Sequence, residues 1–321
     1  MGKYWKKTKF DMGKFIKKRG IDLSIIIVSY NTKKLLEECI RSVQKTTKKI
    51  GFEIIVVDNA SSDGSYQMLE NLQKEKVFNK SLILIKSKEN IGFSKGNNLG
   101  IKVSSGKYLL FLNPDTVVYE KTIDGMFEFM EQHPECGAST CFVELLSGKL
   151  DDSSHRGFPT PSRSFFHFSG ISKVFKNIKL FNGYNLSYLD ISKTHEIDSL
   201  AGSFMLVPFN VGDKLGWWDE DYFFYGEDID FCYRIKKAGY KIYFVPEFKT
   251  LHLKGISSGI KSVSKDITKA TNETKRRATH HRFNSMEIFY NKHYKKIYPK
   301  IVTYLVLVGI KIKRKIAERK I

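Results

Sequence analysis

Acidic and amide side chains follow two apolar runs of the sequence, at the points where buried strands would end. Asp58 follows residues 52–57, where a carboxylate could accept hydrogen bonds from a base or a sugar. The alternative for Asp58 is an ordinary turn, because aspartate stabilises turns through its own side chain. Asn113-Pro114-Asp115 follows residues 108–112, so the Asp115 carboxylate could hold a divalent cation on a diphosphate. A simple turn is the alternative for this triplet.

A third acidic cluster, Gly226-Glu227-Asp228-Ile229-Asp230, opens a predicted helix. Carboxylates are favourable at the start of a helix, and one of them could act as a general base towards a hydroxyl group. Asp230 lies four residues before Arg234, which is the spacing of an intrahelical ion pair and favours a structural role. Glu227 could cap the helix or form an ion pair. Asp228 has no partner nearby in the sequence and is therefore the better candidate for the base.

His252 lies between two leucines after a predicted strand. It could ligate a metal ion, and the alternative is a packed structural histidine. The sequence contains no GxGxxG, GxxxxGK[ST], HExxH or GxSxG motif. Dinucleotide binding of the usual kind, P-loop chemistry and these two hydrolase types are therefore not indicated. These motifs therefore do not explain why acidic side chains follow the predicted strands.

The elements that must position these groups alternate between strands and helices over the first 135 residues. Apolar runs at residues 23–29, 52–57, 82–85 and 108–112 predict buried parallel strands, and apolar residues at helical spacing lie between them. This alternation predicts an α/β fold with a doubly wound, mostly parallel, Rossmann-like sheet, which binds ligands at the carboxyl ends of its strands. Residues 199–208 and 241–245 predict further strands, the second stopped by Pro246. Residues 145–195 are less regular and predict loops and short elements over one side of the site.

The net charge of +20 is concentrated at the two ends of the chain. Residues 1–20 carry +7 and residues 291–321 carry +9, which leaves +4 for the 270 residues between them. A nucleic-acid-binding module would need basic residues across its core, so we expect no nucleic-acid partner. A hydrophobic fraction of 41% excludes a disordered polyelectrolyte. The four cysteines form no CxxC pair and the N-terminus lacks a secretory apolar stretch, which favours a reduced, cytosolic chain.

Five segments, taken in order, resemble the family 2 glycosyltransferases, which have the glycosyltransferase A (GT-A) fold. The segments are residues 25–31 (IIIVSYN), 56–65 (VVDNASSDGS), 90–100 (NIGFSKGNNLG), 112–115 (LNPD) and 223–234 (FFYGEDIDFCYR), and His252 follows them. Within the family, the pattern is most similar to bacterial rhamnosyltransferase-type enzymes of surface-polysaccharide assembly. The resemblance implies a catalytic domain at residues 21–258, between a basic segment at residues 1–20 and a basic, helical segment at residues 259–321.

The resemblance also implies a role for each matched position. Asp228 would be the catalytic base, and Asp115 and His252 would hold magnesium or manganese on the diphosphate. Further matched positions would bind substrate, namely Tyr30, Asn31, Asp58, Asn90, Gly92, Lys95, Asn97, Asn113 and Glu227. Gly202, outside the matched segments, is a further candidate for substrate binding. Asn113 stands at the first position of the family's acidic motif, where an aspartate would add a negative charge. The reaction would invert the anomeric centre of a dTDP-, UDP- or GDP-linked sugar, with rhamnose as the expected sugar.

Residues 301–310 form an apolar run of ten residues with lysines on both sides, too short for an ordinary membrane-spanning helix. An apolar helix edged by cations suits insertion into an anionic membrane surface. The alternative is a terminal helix that packs on the catalytic domain with a solvated basic end. A saccharide or lipid-linked acceptor would suit a peripheral enzyme on the cytoplasmic face of the cell membrane. The competing functions are a basic nucleic-acid-binding protein and a nucleotidyltransferase on a similar sheet.

Overall fold

A sheet of nine strands forms the centre of the computed structural model, counted over the residues that the structure describes, which are 20–78, 81–253 and 272–321. The strands are β1 (Ile21–Ser29), β2 (Phe52–Asp58), β3 (Leu82–Lys86), β4 (Gly106–Leu112), β5 (Thr116–Val118), β6 (Cys136–Leu145), β7 (His195–Glu196), β8 (Phe204–Pro208) and β9 (Lys241–His252). Their order across the sheet is β3-β2-β1-β4-β8-β6-β9-β5, and β7 pairs with β9. Because β1 lies between β2 and β4, the first described strand is in the interior of the sheet. The strands that follow lie on both sides of it.

Helices connect most of these strands. They are α1 (Lys33–Thr46), α2 (Ser65–Lys74), α3 (Phe93–Val103), α4 (Thr122–Gln132), α5 (Pro161–Ser169), α6 (Ile171–Val174), α7 (Lys179–Asn182), α8 (Phe209–Leu215), α9 (Glu227–Lys237), α10 (Asn272–Phe289) and α11 (Lys300–Glu318). Short 3-10 turns lie at Lys76–Phe78 and Asp152–Ser154, and a π-helical turn at Tyr290–Tyr294 follows α10.

Helices cover both faces of the sheet, and strand β1 carries apolar side chains on both of its faces. Ile25 packs in the core cluster that contains Leu36 of α1, whereas Ile26 packs in a second cluster with Ile101 of α3. Successive side chains of a strand point to opposite faces, so an uninterrupted apolar run is buried on both sides. The doubly wound α/β architecture predicted from the sequence is confirmed.

Parallel pairing is confined to part of the sheet. Strands β1 to β4 pair in parallel, as do β6 and β9. Strand β8 is antiparallel to β4 and β6, and β5 and β7 are antiparallel to β9. Four of the eight pairings among the described strands are thus antiparallel, and the sheet is mixed rather than mostly parallel. The parallel pairs are joined by crossovers that contain helices, including the long connection from β6 to β9.

Strand β9 continues beyond the predicted stop at Pro246. Its register with β6 shifts between the pairs Cys141–Val245 and Phe142–Lys249, so residues 246–248 form a bulge. Proline lacks a backbone N–H and is tolerated in a bulge, which lets the strand resume after it. As a result, His252 is the last residue of β9 and lies opposite Thr116 of β5.

Residues 158–184, here called the insertion, contain α5, α6 and α7 and leave the sheet between β6 and β8. The two ends of the insertion meet at its base, where the N–H of Gly157, the residue before the insertion, donates to the Tyr184 carbonyl at 2.8 Å. Arg163 of α5 pairs with Asp198 at 2.6 Å and holds the insertion against the domain. The sequence predicted short elements in this region without locating these helices.

The C-terminal helices predicted from the sequence are present and pack against α9. Phe289, Tyr290 and Tyr294 form a buried cluster with Tyr222, and α11 adds partly buried Val306 and Leu307 to it. Among the described residues, no helix has the length and apolar character required to cross a bilayer. The predicted domain boundary at residues 258 and 259 and the basic segment at residues 1–19 lie outside the described residues.

Candidate active site

The predicted site residues converge on one edge of the sheet, where β1, β2 and β4 end. Tyr30 and Asn31 follow β1, Asp58 ends β2 and Asn113 follows β4. The chain winds away in opposite directions from β1 and β4, so this edge is the topological switch point. Open α/β sheets bind their ligands in the crevice at such a point.

The residues after β1 join the loop after β2. Asn31 adopts a left-handed backbone conformation with φ 55°, which asparagine tolerates better than most residues. Its side-chain oxygen accepts the Ser62 N–H at 2.8 Å, and its N–H donates to Ser61 Oγ at 3.0 Å. Asn31 therefore holds two loops together, whereas the Tyr30 ring beside it is 45% exposed and can stack on a ligand.

Asp58 is completely buried, and its two carboxylate oxygens have different environments. Oδ2 accepts the Ser61 N–H at 3.3 Å and supports the turn that the sequence offered as the alternative. Oδ1 is buried without a hydrogen-bond partner among the described residues. A buried oxygen without a donor is costly, so this position suits a ligand that brings a hydroxyl or N–H group.

The loop before α3 is held by Asn59, a residue that the sequence analysis missed. Its side-chain oxygen accepts the Ile91 N–H at 3.0 Å, and its amide donates to Asn90 Oδ1 at 3.0 Å. Asn90 Oδ1 also accepts the Gly92 N–H at 3.1 Å. The Asn90 oxygen is thus committed to shaping the loop. The signal for Asn59 was its place directly after Asp58, at a strand end.

Gly92 is required for contact between this loop and the segment before α9. Its φ is +86°, and a Cβ atom there would lie 2.5 Å from the Phe223 carbonyl oxygen. The next residue, Phe93, donates its N–H to the same oxygen at 2.8 Å. Gly202 is also buried, and a Cβ atom there would lie 3.2 Å from the Phe93 ring. Both predicted substrate-binding glycines therefore have packing roles in the structure.

Two further predicted substrate-binding residues lie on α3. Lys95 is exposed in its first turn, where a cation can meet a diphosphate. Asn97 is only 1% exposed, and its amide donates to the Phe93 carbonyl at 3.0 Å. The structure therefore directs the Asn97 amide group into the helix.

Asp115 and His252 meet because the short strand β5 pairs with the end of β9. His252 Nε2 lies 3.2 Å from Asp115 Oδ1, and both side chains are almost fully buried. Asn113 Nδ2 lies 3.4 Å from the same imidazole nitrogen. The two predicted metal ligands and the amide of the acidic motif thus form one group, although 137 residues separate Asp115 from His252.

Asp151 is a further member of this group that the sequence analysis missed. It is completely buried, and its Oδ2 lies 3.0 Å from His252 Nδ1. Its Oδ1 accepts the Ser153 N–H at 2.9 Å, which fixes the carboxylate at the start of the 3-10 turn. A carboxylate beside the second ring nitrogen is the arrangement found behind metal-ligating histidines, where it orients the ring.

Within the described part of the chain, no three His, Cys, Asp or Glu side chains form a metal-binding cluster. Asp115 and His252 supply one carboxylate oxygen and one imidazole nitrogen. A cation held by so few protein ligands takes its remaining ligands from water and from substrate phosphates. The residues present therefore fit a divalent cation shared with a diphosphate, and manganese accepts both donor types.

Asp228, the candidate base, forms an ion pair with Arg156. Arg156 Nη2 lies 2.7 Å from Asp228 Oδ2, and the two side chains are 14% and 13% exposed. Asp228 Oδ1 accepts the Ile229 N–H at 2.7 Å. The partner that Asp228 lacked in the local sequence comes from residues after β6. Arg156 therefore orients the carboxylate through this ion pair.

Glu227 and Asp230 lie on either side of Asp228 in the sequence, and their pKa values are shifted in opposite directions. Burial, followed by the negative charge of Asp228, raises the pKa of Glu227 to about 8. Its Oε2 has no hydrogen-bond partner among the described residues. Burial also acts to raise the pKa of Asp230, but hydrogen bonds from His293 and Arg234 outweigh it and lower that pKa. Asp230 pairs with Arg234 at 2.7 Å, as the helical spacing predicted.

Residues 151–156 connect the two halves of the site. Asp151 at one end contacts His252, and Arg156 at the other end contacts Asp228. Five residue steps span at most about 17 Å when fully extended, and the 3-10 turn shortens this segment further. The candidate metal ligands and the candidate base are therefore held by the two ends of one short segment.

Comparisons with known proteins identify the family of the chain. A sequence model described as Glycosyl transferase family 2 matches residues 24–192, and one described as Glycosyl transferase family group 2 matches residues 169–291. Rhamnosyltransferase WbbL of Escherichia coli is 29% identical over an alignment of 226 residues, and the match covers 62% of this chain and 82% of WbbL. An N-acetylglucosaminyl-diphospho-decaprenol L-rhamnosyltransferase of Mycobacterium tuberculosis is 25% identical over 74% of this chain and 78% of its own length.

The fold is shared with a solved structure, the mannosyltransferase PcManGT from Pyrobaculum calidifontis in complex with GDP-mannose and Mn²⁺. The TM-score is 0.56 at 14% identity, and the match covers 93% of this chain and 72% of that one. The first family model alone spans more than half of the chain, in the region that carries β1 to β6. The chain therefore belongs to glycosyl transferase family 2 and is a glycosyltransferase with the GT-A fold.

Proposed function

We propose that this glycosyltransferase moves a sugar from a nucleoside diphosphate to a hydroxyl of a saccharide or lipid-linked saccharide, with inversion, during the synthesis of cell-surface polysaccharide. The observation that carries the proposal is the link formed by residues 151–156. One end of this segment supports His252 beside Asp115, and the other end supports Asp228. This link supports a site in which the diphosphate and the acceptor hydroxyl bind close together.

The donor lies along the carboxyl edge of β1 and β2 in this proposal. The unpartnered Oδ1 of Asp58 accepts a hydrogen bond from the base or ribose, and the exposed ring of Tyr30 covers the nucleoside. Lys95 faces the diphosphate. The names of the Escherichia coli and Mycobacterium tuberculosis relatives favour rhamnose as the transferred sugar, and dTDP, UDP and GDP are the nucleotides to test.

Asp115 and His252 hold magnesium or manganese in this proposal. When bound there, the cation offsets the negative charge that develops on the departing diphosphate. Asp151 keeps the His252 ring in place through its 3.0 Å contact with Nδ1. The comparison structure with GDP-mannose was solved with Mn²⁺, which supports manganese as the first ion to test.

Asp228 accepts the proton of the acceptor hydroxyl as that oxygen bonds to the anomeric carbon. The bond between the anomeric carbon and the diphosphate oxygen breaks on the opposite face, and the electron pair leaves with the nucleoside diphosphate. A single displacement needs one base and no covalent intermediate with the enzyme. Arg156 positions the Asp228 carboxylate through its ion pair at 2.7 Å. Glu227 retains its proton near neutral pH because its pKa is raised.

The acceptor and the cellular location are parts of the same proposal. A lipid-linked acceptor requires the enzyme to work at a membrane, and we place it peripherally on the cytoplasmic face. Helix α11 supports this location because it combines cations with exposed apolar side chains, including Ile301 and Leu305. Such a helix can lie in the interface of an anionic bilayer.

The test is a thermal-shift panel of dTDP, UDP and GDP, each with and without Mn²⁺. We expect one nucleotide to raise the unfolding temperature, and more strongly with Mn²⁺, because the cation joins its diphosphate to Asp115 and His252. Asp228→Asn should retain this shift and lose sugar transfer, whereas the exposed control Asp213→Asn should retain both. No shift with any nucleotide, or normal turnover by Asp228→Asn, would contradict the proposal.

A further inference from the structure

The insertion exposes an unusual amount of apolar surface. Residues 173–180 are all exposed. The exposed large apolar side chains of the insertion are Phe165, Phe168, Val174, Phe175, Ile178 and Leu180, with exposed fractions between 45% and 75%. Soluble surfaces expose single apolar residues routinely, but a contiguous group marks a surface that binds something.

Helix α11 exposes a second apolar group that forms a stripe. Its exposed members are Ile301, Tyr304, Leu305, Ile312 and Ile316, which recur at helical spacing on one side of the helix. Val306 and Leu307, on another side, pack towards α10 and the buried tyrosine cluster. The helix is therefore anchored to the domain by one side and presents the stripe to the surroundings.

The insertion and α11 are in direct contact. Lys313 Nζ of α11 lies 3.7 Å from the centre of the Phe168 ring of α5. The charge of Lys313 also acts on His167 of α5, with burial as the larger cause of the lowered pKa of that imidazole. This contact places the insertion beside α11, and the exposed apolar residues of the two elements are here together called the docking face.

Positive charge accompanies both parts of the docking face. The insertion contains Arg163, Lys173, Lys176 and Lys179 and no acidic residue. Helix α11 contributes four lysines and one arginine against the single acid Glu318. A second copy of this chain on the same face would bring like charges together. An anionic lipid surface can bury the apolar side chains and also attract the cations.

We propose that the insertion and α11 together form a membrane-docking face that seats the enzyme on an anionic bilayer. The base of the insertion, at Gly157, directly follows Arg156, which holds the candidate base Asp228. Docking therefore brings the acceptor side of the site to the lipid surface. This consequence rests on the proposed lipid-linked acceptor, whereas docking itself is measured without an acceptor or a sugar.

The experiment is co-sedimentation of the full chain with vesicles. One set contains phosphatidylcholine alone, and the other contains about 30% phosphatidylglycerol as the anionic lipid. Phe165→Ser/Leu180→Ser alters the insertion, and Ile301→Ser/Leu305→Ser alters α11. The control is Val77→Ser, an apolar residue that is 54% exposed in the 3-10 turn before β3. Each double variant should lower affinity for anionic vesicles about tenfold, because apolar burial drives interfacial binding.

A charge variant tests the same face without touching apolar contacts. Lys173→Glu/Lys176→Glu changes two exposed side chains and should weaken anionic binding without altering the unfolding temperature. Unchanged vesicle binding by both insertion variants would overturn the proposal, because α11 alone would then suffice. A lower molecular mass of the variants in solution, with vesicle binding unchanged, would identify a second copy as the occupant and also overturn it.

The nucleotide thermal-shift panel separates the two proposals. If all variants respond to nucleotide and Mn²⁺ as the wild type does but none differs in vesicle binding, only the docking face is wrong. If the wild type responds to no nucleotide but the variants lose vesicle binding, the docking face stands and the proposed donor chemistry is wrong.

Discussion

Replacing Glu227 with glutamine removes a buried carboxyl group at the start of α9 and should change how stability depends on pH. Burial and the neighbouring charge of Asp228 raise the pKa of Glu227 from 4.5 to about 8 in the folded protein. The unfolded chain exposes this group to water, where it titrates near its ordinary value. Between these two pH values the folded state keeps a proton that the unfolded state has released. Rising pH therefore favours unfolding of the wild type through this group.

The magnitude follows from the number of protons that differ between the two states. One proton changes the free energy of unfolding by about 1.4 kcal/mol per pH unit. The contribution of Glu227 is complete below the unfolded pKa and is lost as pH rises towards the folded pKa. Between pH 5 and pH 8 the wild type should lose on the order of 3 kcal/mol relative to Glu227→Gln, because the amide does not titrate.

Urea unfolding followed by circular dichroism measures this difference at intervals from pH 5 to pH 9. The gap between Glu227→Gln and the wild type should widen up to about pH 8 and then level off. Glu38→Gln, an exposed glutamate on α1, provides the matched control. A gap that stays constant across this range would refute the raised pKa and with it the retained proton on Glu227.

Three further variants test the framework of the site. Gly92→Ala should destabilise the protein by about 2–3 kcal/mol in denaturant unfolding, because its Cβ would lie 2.5 Å from the Phe223 carbonyl. Gly148→Ala, at φ +74° in open space, should cost only about 1 kcal/mol, and equal losses would contradict the packing role of Gly92. Asp151→Asn should weaken Mn²⁺ binding in the presence of UDP about tenfold or more by calorimetry, and Asp152→Asn should not; equal affinities would remove Asp151 from its positioning role. Asp230→Asn should lower the free energy of unfolding by about 3–5 kcal/mol, because it leaves Arg234 and His293 without their buried partner. A loss below about 1 kcal/mol would show that the pair is effectively solvated.

Local sequence patterns were sufficient for the elements that carry the site. The apolar residues 25–28 predict the centre of β1, since an uninterrupted apolar run in a strand must be buried on both faces. The cluster Gly226 to Asp230 predicts the start of α9 and the ion pair of Asp230 with Arg234, because both depend on neighbours within a few residues.

The same patterns failed wherever a residue's role depends on a distant partner. Asp151 and His252 are 101 residues apart, and Arg156 and Asp228 are 72 residues apart. No local spacing connects such pairs, so Asp151 and Arg156 passed as ordinary residues of an irregular stretch. Pro246 is a second example, because its effect on β9 depends on the partner strand β6, which accommodates a bulge there.

Exposure is also a property of the tertiary structure. Phe165 and Leu180 look like core residues in the sequence, but the structure leaves them 62% and 67% exposed. Trp218 carries a similar apolar side chain and is 1% exposed. The apolar character of a side chain therefore does not determine its exposure. Packing against the sheet decides whether an apolar residue lies in the core or at the surface.

The sequence by itself determined the α/β alternation, the acidic strand ends, the family resemblance and the location of the positive charge at the two ends. These properties depend on residue type and on the order of neighbouring residues. Hydrophobic periodicity, for example, indicates the strands and helices directly. Only the tertiary structure decided that His252 sits between Asp115 and Asp151, and that Arg156 restrains Asp228. The sheet order brings distant segments to one edge, and contacts between such segments are set by the packing of the whole domain.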